Sequence, residues 1–331
     1  MSRPHTRPAS APRASARRDD DQSLAVRAAW LHHAAGMTQS EVANRLGVTN
    51  VKAHRLIMWA NQNGLVKVTI DGDIAELALL ETQLSERFGL SFCQLAPDLN
   101  EPGLPLRALG IAGSSFLRRE IANLQGGVIG IGHGRTLAAA VADLPRMDAG
   151  NVRFVSLLGG LTRHHAANPY DVMHQLAQKT GATAYVLPVP FFANTAEDRE
   201  VFLSQRGVGD VFALAEKSDL MLVGIGTAAL DSQLVVSRIV EADEIKQVEE
   251  LGGAGEVLGH FFDDDGRPVE TPLSARTVAP GFEGLKDRRI VAIAGGRDKV
   301  RAIRAALKSG ILSGLITDEE TAKRLAEETP A

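Results

Sequence analysis

Residues 38–56 read Thr38-Gln-Ser-Glu-Val-Ala-Asn-Arg-Leu-Gly-Val-Thr-Asn-Val-Lys-Ala-His-Arg-Leu56, two short amphipathic segments hinged on one glycine in the outline of a helix-turn-helix. Val42, Ala43 and Leu46 place apolar groups on one face of a first helix, and Ala43 is small enough to let a second helix approach closely. Gly47 supplies the turn, because glycine takes the positive φ that ends one helix and re-aims the chain. Thr49 is placed to cap the second helix, whose Ala53, Leu56 and Ile57 face inward while Asn50, Lys52, His54 and Arg55 point outward. Amide and guanidinium groups near the start of such a helix reach base edges in a major groove, and lysine or arginine grips phosphate. The candidate DNA contacts are Thr38, Gln39, Thr49, Asn50, Lys52, His54 and Arg55. The second helix is expected to end at Gly64, and the alternation of residues 65–70 (Leu-Val-Lys-Val-Thr-Ile) predicts a short strand, a possible wing. An ordinary helical hairpin buried in a core would share the turn, but spacing, cap and polar outer face agree on DNA.

Charge divides the chain in the same place. Between Ser23 and Ile70 five basic residues (Arg27, Arg45, Lys52, Arg55, Lys67) stand against one acidic residue, Glu41, a local charge of +4. Residues 1–22 carry +2, from five arginines and three aspartates. The chain total is −4, so residues 71–331 hold −10. A basic amino-terminal module on an acidic body implies that the module alone meets a phosphate backbone. Residues 1–22, rich in Arg, Ala, Pro, Ser and Asp, lack the apolar core of a secretory signal and read as a disordered, solvated tail. A single cysteine, Cys93, excludes an intramolecular disulfide framework and fits a reducing compartment; it lies in an apolar run and reads as buried filler. No apolar stretch approaches the roughly 20 residues that span a bilayer. The expected location is the cytoplasm, with no membrane partner.

Beyond a connecting helix near Ile74–Arg87, short apolar runs alternate with longer amphipathic stretches, the pattern of a parallel α/β sheet. Strands are expected near 128–131, 152–158, 184–188, 219–224, 290–294 and 311–317. Several run directly into glycine: Gly130-Ile-Gly-His-Gly-Arg-Thr136, Gly159-Gly160, Gly224-Ile-Gly-Thr227 and Gly295-Gly-Arg-Asp-Lys299. In an open parallel sheet the loops at the strands' carboxyl ends line one crevice where ligands bind, and a following helix start offers free N–H groups. Polar candidates gather with these loops. Gly132, His133, Gly134, Arg135 and Thr136 form the first set, followed by Arg163, Asn168, Asp171, Asp231, Glu256 and Lys299. Carboxylates and amides that pair with vicinal hydroxyls, with a cation for an anion, suit a sugar, polyol or sugar phosphate. The first loop lacks the third glycine of the dinucleotide fingerprint and the lysine of a phosphate loop. Asp231 reads equally as a helix cap, and His164-His165 has no third ligand at useful spacing, so no metal and no cofactor is expected.

With both halves read, the chain resembles the SorC family of bacterial transcriptional regulators from about Leu24 onward. The segments that carry the likeness are Gly-Val-Thr-Asn at 47–50, Gly-His-Gly-Arg-Thr-Leu at 132–137, Leu-Pro-Val-Pro at 187–190 and Val-Gly-Ile-Gly at 223–226. Phe-Phe-Asp-Asp-Asp-Gly-Arg-Pro-Val at 261–269, Ala-Gly-Gly-Arg-Asp-Lys at 294–299 and Leu-Ile-Thr-Asp-Glu-Glu-Thr-Ala at 315–322 complete the set. The resemblance implies a large α/β effector domain with the fold of ribose-phosphate isomerase and glucosamine-phosphate deaminase. It also implies homo-oligomers, tetramers or dimers, and effector contacts from Gly132 to Thr136, Asn168, Glu256 and Lys299. His133 stands where many relatives carry tryptophan, and Ala53 replaces a larger aliphatic residue. The expected organisation is a tail over 1–22, a helix-turn-helix domain over 23–72, a connecting helix over 73–88 and a sugar-binding, oligomerising domain over 89–331. The expected function is that of a repressor-type regulator, not an enzyme, whose affinity for operator DNA is set by a carbohydrate effector. An alternative is a sugar-phosphate isomerase or deaminase with Glu256 or Asp231 as base and Lys299 near the developing charge. A third, a nucleotide-binding regulator, rests on the glycine loops alone.

Overall fold

The structure, a computed structural model, describes residues 13–66, 74–160 and 172–327. It divides into two compact units, residues 1–72 and 73–331. In the first unit, α1 (Arg13–His33), α2 (Gln39–Leu46) and α3 (Asn50–Gln62) pack around an alanine-rich core. Ala25, Ala28 and Ala29 of α1 meet Ala43, Ala53 and Ala60, and these small side chains let the helices approach closely. Ala53 is therefore fully buried against small neighbours. Helix α1 begins at Arg13, inside the stretch read as a disordered tail. Alanine, arginine, glutamine and leucine favour helix whether or not they bury anything, which a reading by hydrophobicity overlooks.

The turn between α2 and α3 has the geometry its residues demand. Thr38 and Glu41 form a reciprocal capping box, with the Thr38 amide donating to the Glu41 carboxylate at 2.7 Å and the Glu41 amide donating to the Thr38 hydroxyl at 3.3 Å. Gly47 closes α2 at φ +63° and ψ 34°, and the Val48 amide reaches back to the Ala43 carbonyl at 3.0 Å. Thr49 caps α3 by accepting the Lys52 amide at 3.2 Å. α3 ends at Gln62, and Gly64 follows at φ +67°. Most of the expected wing strand lies outside the described residues.

The second unit opens with α4 (Ile74–Phe88), then β1 (Phe92–Ala96), α5 (Leu106–Leu124), β2 (Val128–Ile131), α6 (Arg135–Asp143) and β3 (Arg153–Ser156). Next come α7 (Met173–Thr180), β4 (Ala184–Tyr185), α8 (Ala196–Ser204), α9 (Val208–Glu216), β5 (Leu220–Val223), β6 (Gly226–Thr227), α10 (Gln233–Val236) and α11 (Ala242–Glu250). The chain continues through β7 (Gly253–Val257), β8 (His260–Asp263), β9 (Pro268–Val269), α12 (Pro272–Ala275), α13 (Phe282–Leu285) and β10 (Ile290–Ile293). A 3-10 turn (Arg297–Lys299), α14 (Val300–Lys308), β11 (Gly314–Asp318) and α15 (Glu319–Ala326) complete it.

Seven strands form one sheet in the order β1-β11-β10-β5-β2-β3-β4, with every pairing parallel. A smaller antiparallel sheet runs β6-β7-β8-β9. The six expected parallel strands are all present, and β1 and the small sheet are additions to that reading. β2, β5, β10 and β11 are buried throughout, which is why they read as continuous apolar runs. One apolar cluster packs α5, α6 and α7 on the sheet and another packs α4, α11, α14 and α15. The first needs glycine inside α5: a Cβ on Gly113 would meet Ala140 Cβ and Ile293 Cδ1, each at 2.8 Å. α4 belongs to this unit, since Leu84 is fully buried in its core and Glu81 accepts the Leu95 amide of β1 at 2.8 Å.

The strand order places a switch point between β2 and β5. From β2 the chain winds outward through β3 and β4; from β5 it winds the other way through β10 to β11. The connections that leave β2 and β5 therefore part, and a crevice opens beyond the carboxyl ends of these two strands.

Candidate functional site

A cleft of about 950 Å³ lies at the carboxyl ends of the parallel strands. Among the described residues, its wall is formed by Asp98 to Pro105 after β1, Arg135 after β2, Gly226 to Gln233 after β5, Gly295 to Lys299 after β10, and Asp318 with Glu320 at the end of β11. The position follows from topology alone. Among the effector residues expected from sequence, Arg135, Asp231 and Lys299 line the cleft.

The others take different places. The Gly132 amide donates to Leu222 O at 2.8 Å, joining the loop to β5. Thr136 is buried, and its hydroxyl donates to Ile293 O at 2.6 Å. Both groups are thus engaged by the framework. His133 and Gly134 are half-buried, and Gly134 opens α6 at φ +136°. Glu256 stands on β7 directly across from Gly226 of β6, behind the wall of the cleft; a Cβ on Gly226 would meet Glu256 Oε2 at 2.5 Å. Arg163, Asn168 and Asp171 lie outside the described residues.

Lys299 joins these parts electrostatically. Its Nζ donates to Ile225 O at 2.6 Å. Burial pushes the ammonium down from its ordinary 10.5 to about 8; Arg135 adds repulsion and Glu256 opposes it. Burial also raises the Glu256 carboxyl from 4.5 to about 6, against the Gly259 amide that donates to it and the Lys299 charge. A lysine near 8 keeps most of its charge at neutral pH while remaining poorly solvated. Such an ammonium gains from any ligand oxygen brought to it.

The β10 loop is held by Asp318, which sequence reading missed. Its Oδ2 accepts the Gly296 amide at 3.0 Å and the Thr321 hydroxyl at 2.6 Å, while Oδ1 accepts the Thr321 amide at 3.0 Å as the cap of α15. A Cβ on Gly295 would stand 2.1 Å from Asp318 Oδ2, so the glycine is needed for this close approach. Glu101 in the β1 loop accepts the Arg107 and Ala108 amides, each at 2.9 Å, at the start of α5. Arg297 pairs with Glu320 at 2.7 Å. Of the expected effector residues that line the cleft, Lys299 donates to Ile225 O, whereas the side chains of Arg135 and Asp231 have no hydrogen bond to a described residue. Their opposite charges suit a ligand rich in hydroxyls, which donate to one and accept from the other.

In the first unit the expected DNA-reading surface is exposed. Thr38, Gln39, Thr49, Asn50, His54 and Arg55 are solvent-accessible and Lys52 is half-buried, while Val42, Ala43, Leu56 and Ile57 are turned into the core. Thr38 and Thr49 use their hydroxyls as helix caps. These bonds fix how α2 and α3 begin.

Comparison with known proteins bears on both units. The Sugar-bind family model, a sugar-binding domain, matches residues 73–327. The erythritol catabolism regulatory protein EryD of Brucella abortus is 61% identical over 307 residues, covering 93% of this chain and 97% of the relative. The transcriptional regulator LsrR of Klebsiella pneumoniae subsp. pneumoniae is 31% identical over 310 residues, 92% of each chain. Among solved structures, the full-length sorbitol operon regulator SorC from Klebsiella pneumoniae matches with a TM-score of 0.69 at 26% identity, covering 93% of this chain and 100% of that one.

Proposed function

The chain belongs to the SorC family of sugar-binding transcriptional regulators, and from that membership we propose that it governs a four-carbon polyol operon with the uncharged polyol as its effector. It is a regulator of sugar or polyol catabolism, and its partners are DNA and a small carbohydrate. The isomerase or deaminase alternative is not favoured, because the similar proteins are regulators; of its two candidate bases, Glu256 stands behind Gly226 and Asp231 lines the cleft.

The choice of an uncharged effector rests on the charge of the cleft. Among the described residues, six carboxylates line it (Asp98, Glu101, Asp231, Asp298, Asp318 and Glu320) against the three cations Arg135, Arg297 and Lys299. A phosphate dianion would enter a wall already carrying surplus negative charge, in a partly desolvated crevice where repulsion is little screened. Neutral hydroxyls meet no such barrier and donate to carboxylates. The name of the Brucella abortus relative, an erythritol catabolism regulator, supplies the candidate: erythritol.

The mechanism is a population shift. Polyol in the cleft favours one arrangement of subunits in a homo-oligomer, dimer or tetramer, and that arrangement sets how far apart the α2–α3 pairs meet successive turns of an operator. If the polyol releases a repressor from DNA, operator DNA must weaken polyol binding by the same factor. α3 lies in the major groove in this scheme, with Asn50, His54 and Arg55 toward base edges. The test is fluorescence anisotropy of labelled operator, titrated with the chain at several salt concentrations and with erythritol or erythritol phosphate added. Salt-sensitive, sequence-specific binding relieved at lower erythritol than erythritol-phosphate concentration is expected. Relief by the phosphate alone would overturn the assignment of an uncharged effector.

A further inference from the structure

The geometry points to Ser232 as a hydroxyl-reading residue of the cleft, exchanging a hydrogen bond with one hydroxyl of the bound polyol. The assignment rests on the polyol reading above and names a residue of that same site. Ser232 is only 2% exposed and lines the cleft beside Asp231 and Gln233. Its Oγ is buried and has no hydrogen-bond partner among the described residues.

That lack of a partner is unusual because Ser232 occupies the cap of α10, where a serine hydroxyl ordinarily accepts an amide of the first turn. Here the hydroxyl makes no such bond. The backbone of the same residue is fully engaged, its amide donating to Ala229 O at 2.8 Å and its carbonyl accepting Val235 N at 3.1 Å and Val236 N at 2.9 Å. The turn is therefore formed without help from the side chain. Next to it, the Gln233 amide is committed to the Ser237 hydroxyl, so Gln233 does not satisfy Ser232 either.

Buried polar groups without a partner are rare, and each calls for a reason. Among the described residues two other such atoms occur, Arg304 Nε and Thr317 Oγ1, and neither belongs to a residue lining the cleft. Among the described residues, Ser232 alone combines an unused buried hydroxyl with a place on the cleft wall. The neighbouring Asp231 carboxylate only accepts hydrogen bonds and Arg135 only donates them, whereas a serine hydroxyl does both. A site built this way rejects an analogue lacking the matching hydroxyl, since the buried group is then left unpaired again.

Calorimetric titration of the full chain with erythritol, and with butanetriols that each lack one hydroxyl, tests the assignment. Ser232→Ala is expected to weaken erythritol binding about tenfold, a loss of about 1.4 kcal/mol. The wild-type preference for erythritol over the triol missing the bonded hydroxyl should collapse in the variant, which a merely structural serine would not produce. Ser232→Cys, which replaces the hydroxyl by a slightly larger and far weaker hydrogen-bonding group, should lose the same preference. Operator binding without polyol, and the melting temperature, should hold or rise in both. Erythritol affinity within twofold of wild type, with the preference intact, would overturn the role of Ser232 and leave the polyol reading standing. Failure of the wild-type chain itself to bind erythritol would overturn both.

Discussion

Replacing Lys299 by methionine should make the sugar-binding unit more stable and deaf to its effector. The folded protein holds the ammonium near 8 instead of 10.5, chiefly because burial strips its hydration. At about 1.4 kcal/mol per pH unit, that displacement means the charged form destabilises the fold by about 3 kcal/mol at neutral pH. Methionine keeps the length and apolar contacts of the stem and removes the charge. It also removes the bond to Ile225 O, which returns about 1 kcal/mol of the gain. The net expectation is about 2 kcal/mol of added stability, or a melting temperature higher by about 5 °C for a unit of this size. The sign of the pH dependence provides a second check. Between 8 and 10.5 the unfolded chain binds a proton at this lysine and the folded chain does not, so wild-type stability rises with pH across that window. Lys299→Met should lack this alkaline rise. Differential scanning calorimetry of the two proteins from pH 6 to pH 10 measures both effects, and erythritol titration measures the loss of response. A variant that melts below wild type at pH 7, or keeps the same alkaline rise, would refute the reasoning by showing that the ammonium is stabilising where it sits.

Three further outcomes follow from the same geometry. Arg55→Ala, at an exposed position of α3, should weaken operator binding at least tenfold and flatten its salt dependence while polyol affinity stays unchanged; loss of both would mean misfolding. Glu256→Gln should remove an acid-limb dependence: with its folded value near 6 and its ordinary value 4.5, the wild-type carboxyl contributes stability below 4.5 that is lost as pH rises through 6, and denaturation at pH 4.5 and pH 7 should show a smaller difference in the variant. Gly295→Ala should drive a methyl into Asp318 Oδ2 and break the bonds that hold Gly296 and Thr321, lowering stability by about 2 kcal/mol and abolishing the polyol response, as a thermal melt and an operator-release assay would show.

The capping Thr49, the αL glycine Gly47 and the division into apolar inner and polar outer faces were readable in residues 38–56, because a helix-turn-helix is specified by neighbours a few positions apart. Parallel strands such as β2, β5 and β10 were readable for a similar reason: fully buried, they are continuous apolar runs that lead into a glycine loop. β1 was overlooked because the polar Gln94 interrupts its short run, and α1 was taken for part of a tail because its first residues are too polar to suggest burial. The small antiparallel sheet was missed because its strands, two to five residues long, are too short for an alternating pattern.

The amino-acid sequence alone therefore determined the kind of molecule this is: a basic helical reader joined to an acidic parallel α/β body whose glycine-tipped strands face a ligand. Which side chains share the cleft was decided only by the tertiary structure. Arg135, Asp231 and Lys299 converge from loops separated by up to 164 positions in the chain, as their numbering shows. Gly132 and Thr136 bond to the neighbouring strands β5 and β10, and Glu256 stands across from Gly226 behind the cleft wall. Strand order makes that distinction, because it fixes which loops part at the switch point between β2 and β5. That order is set by long-range pairing between strands, to which local spacing is blind.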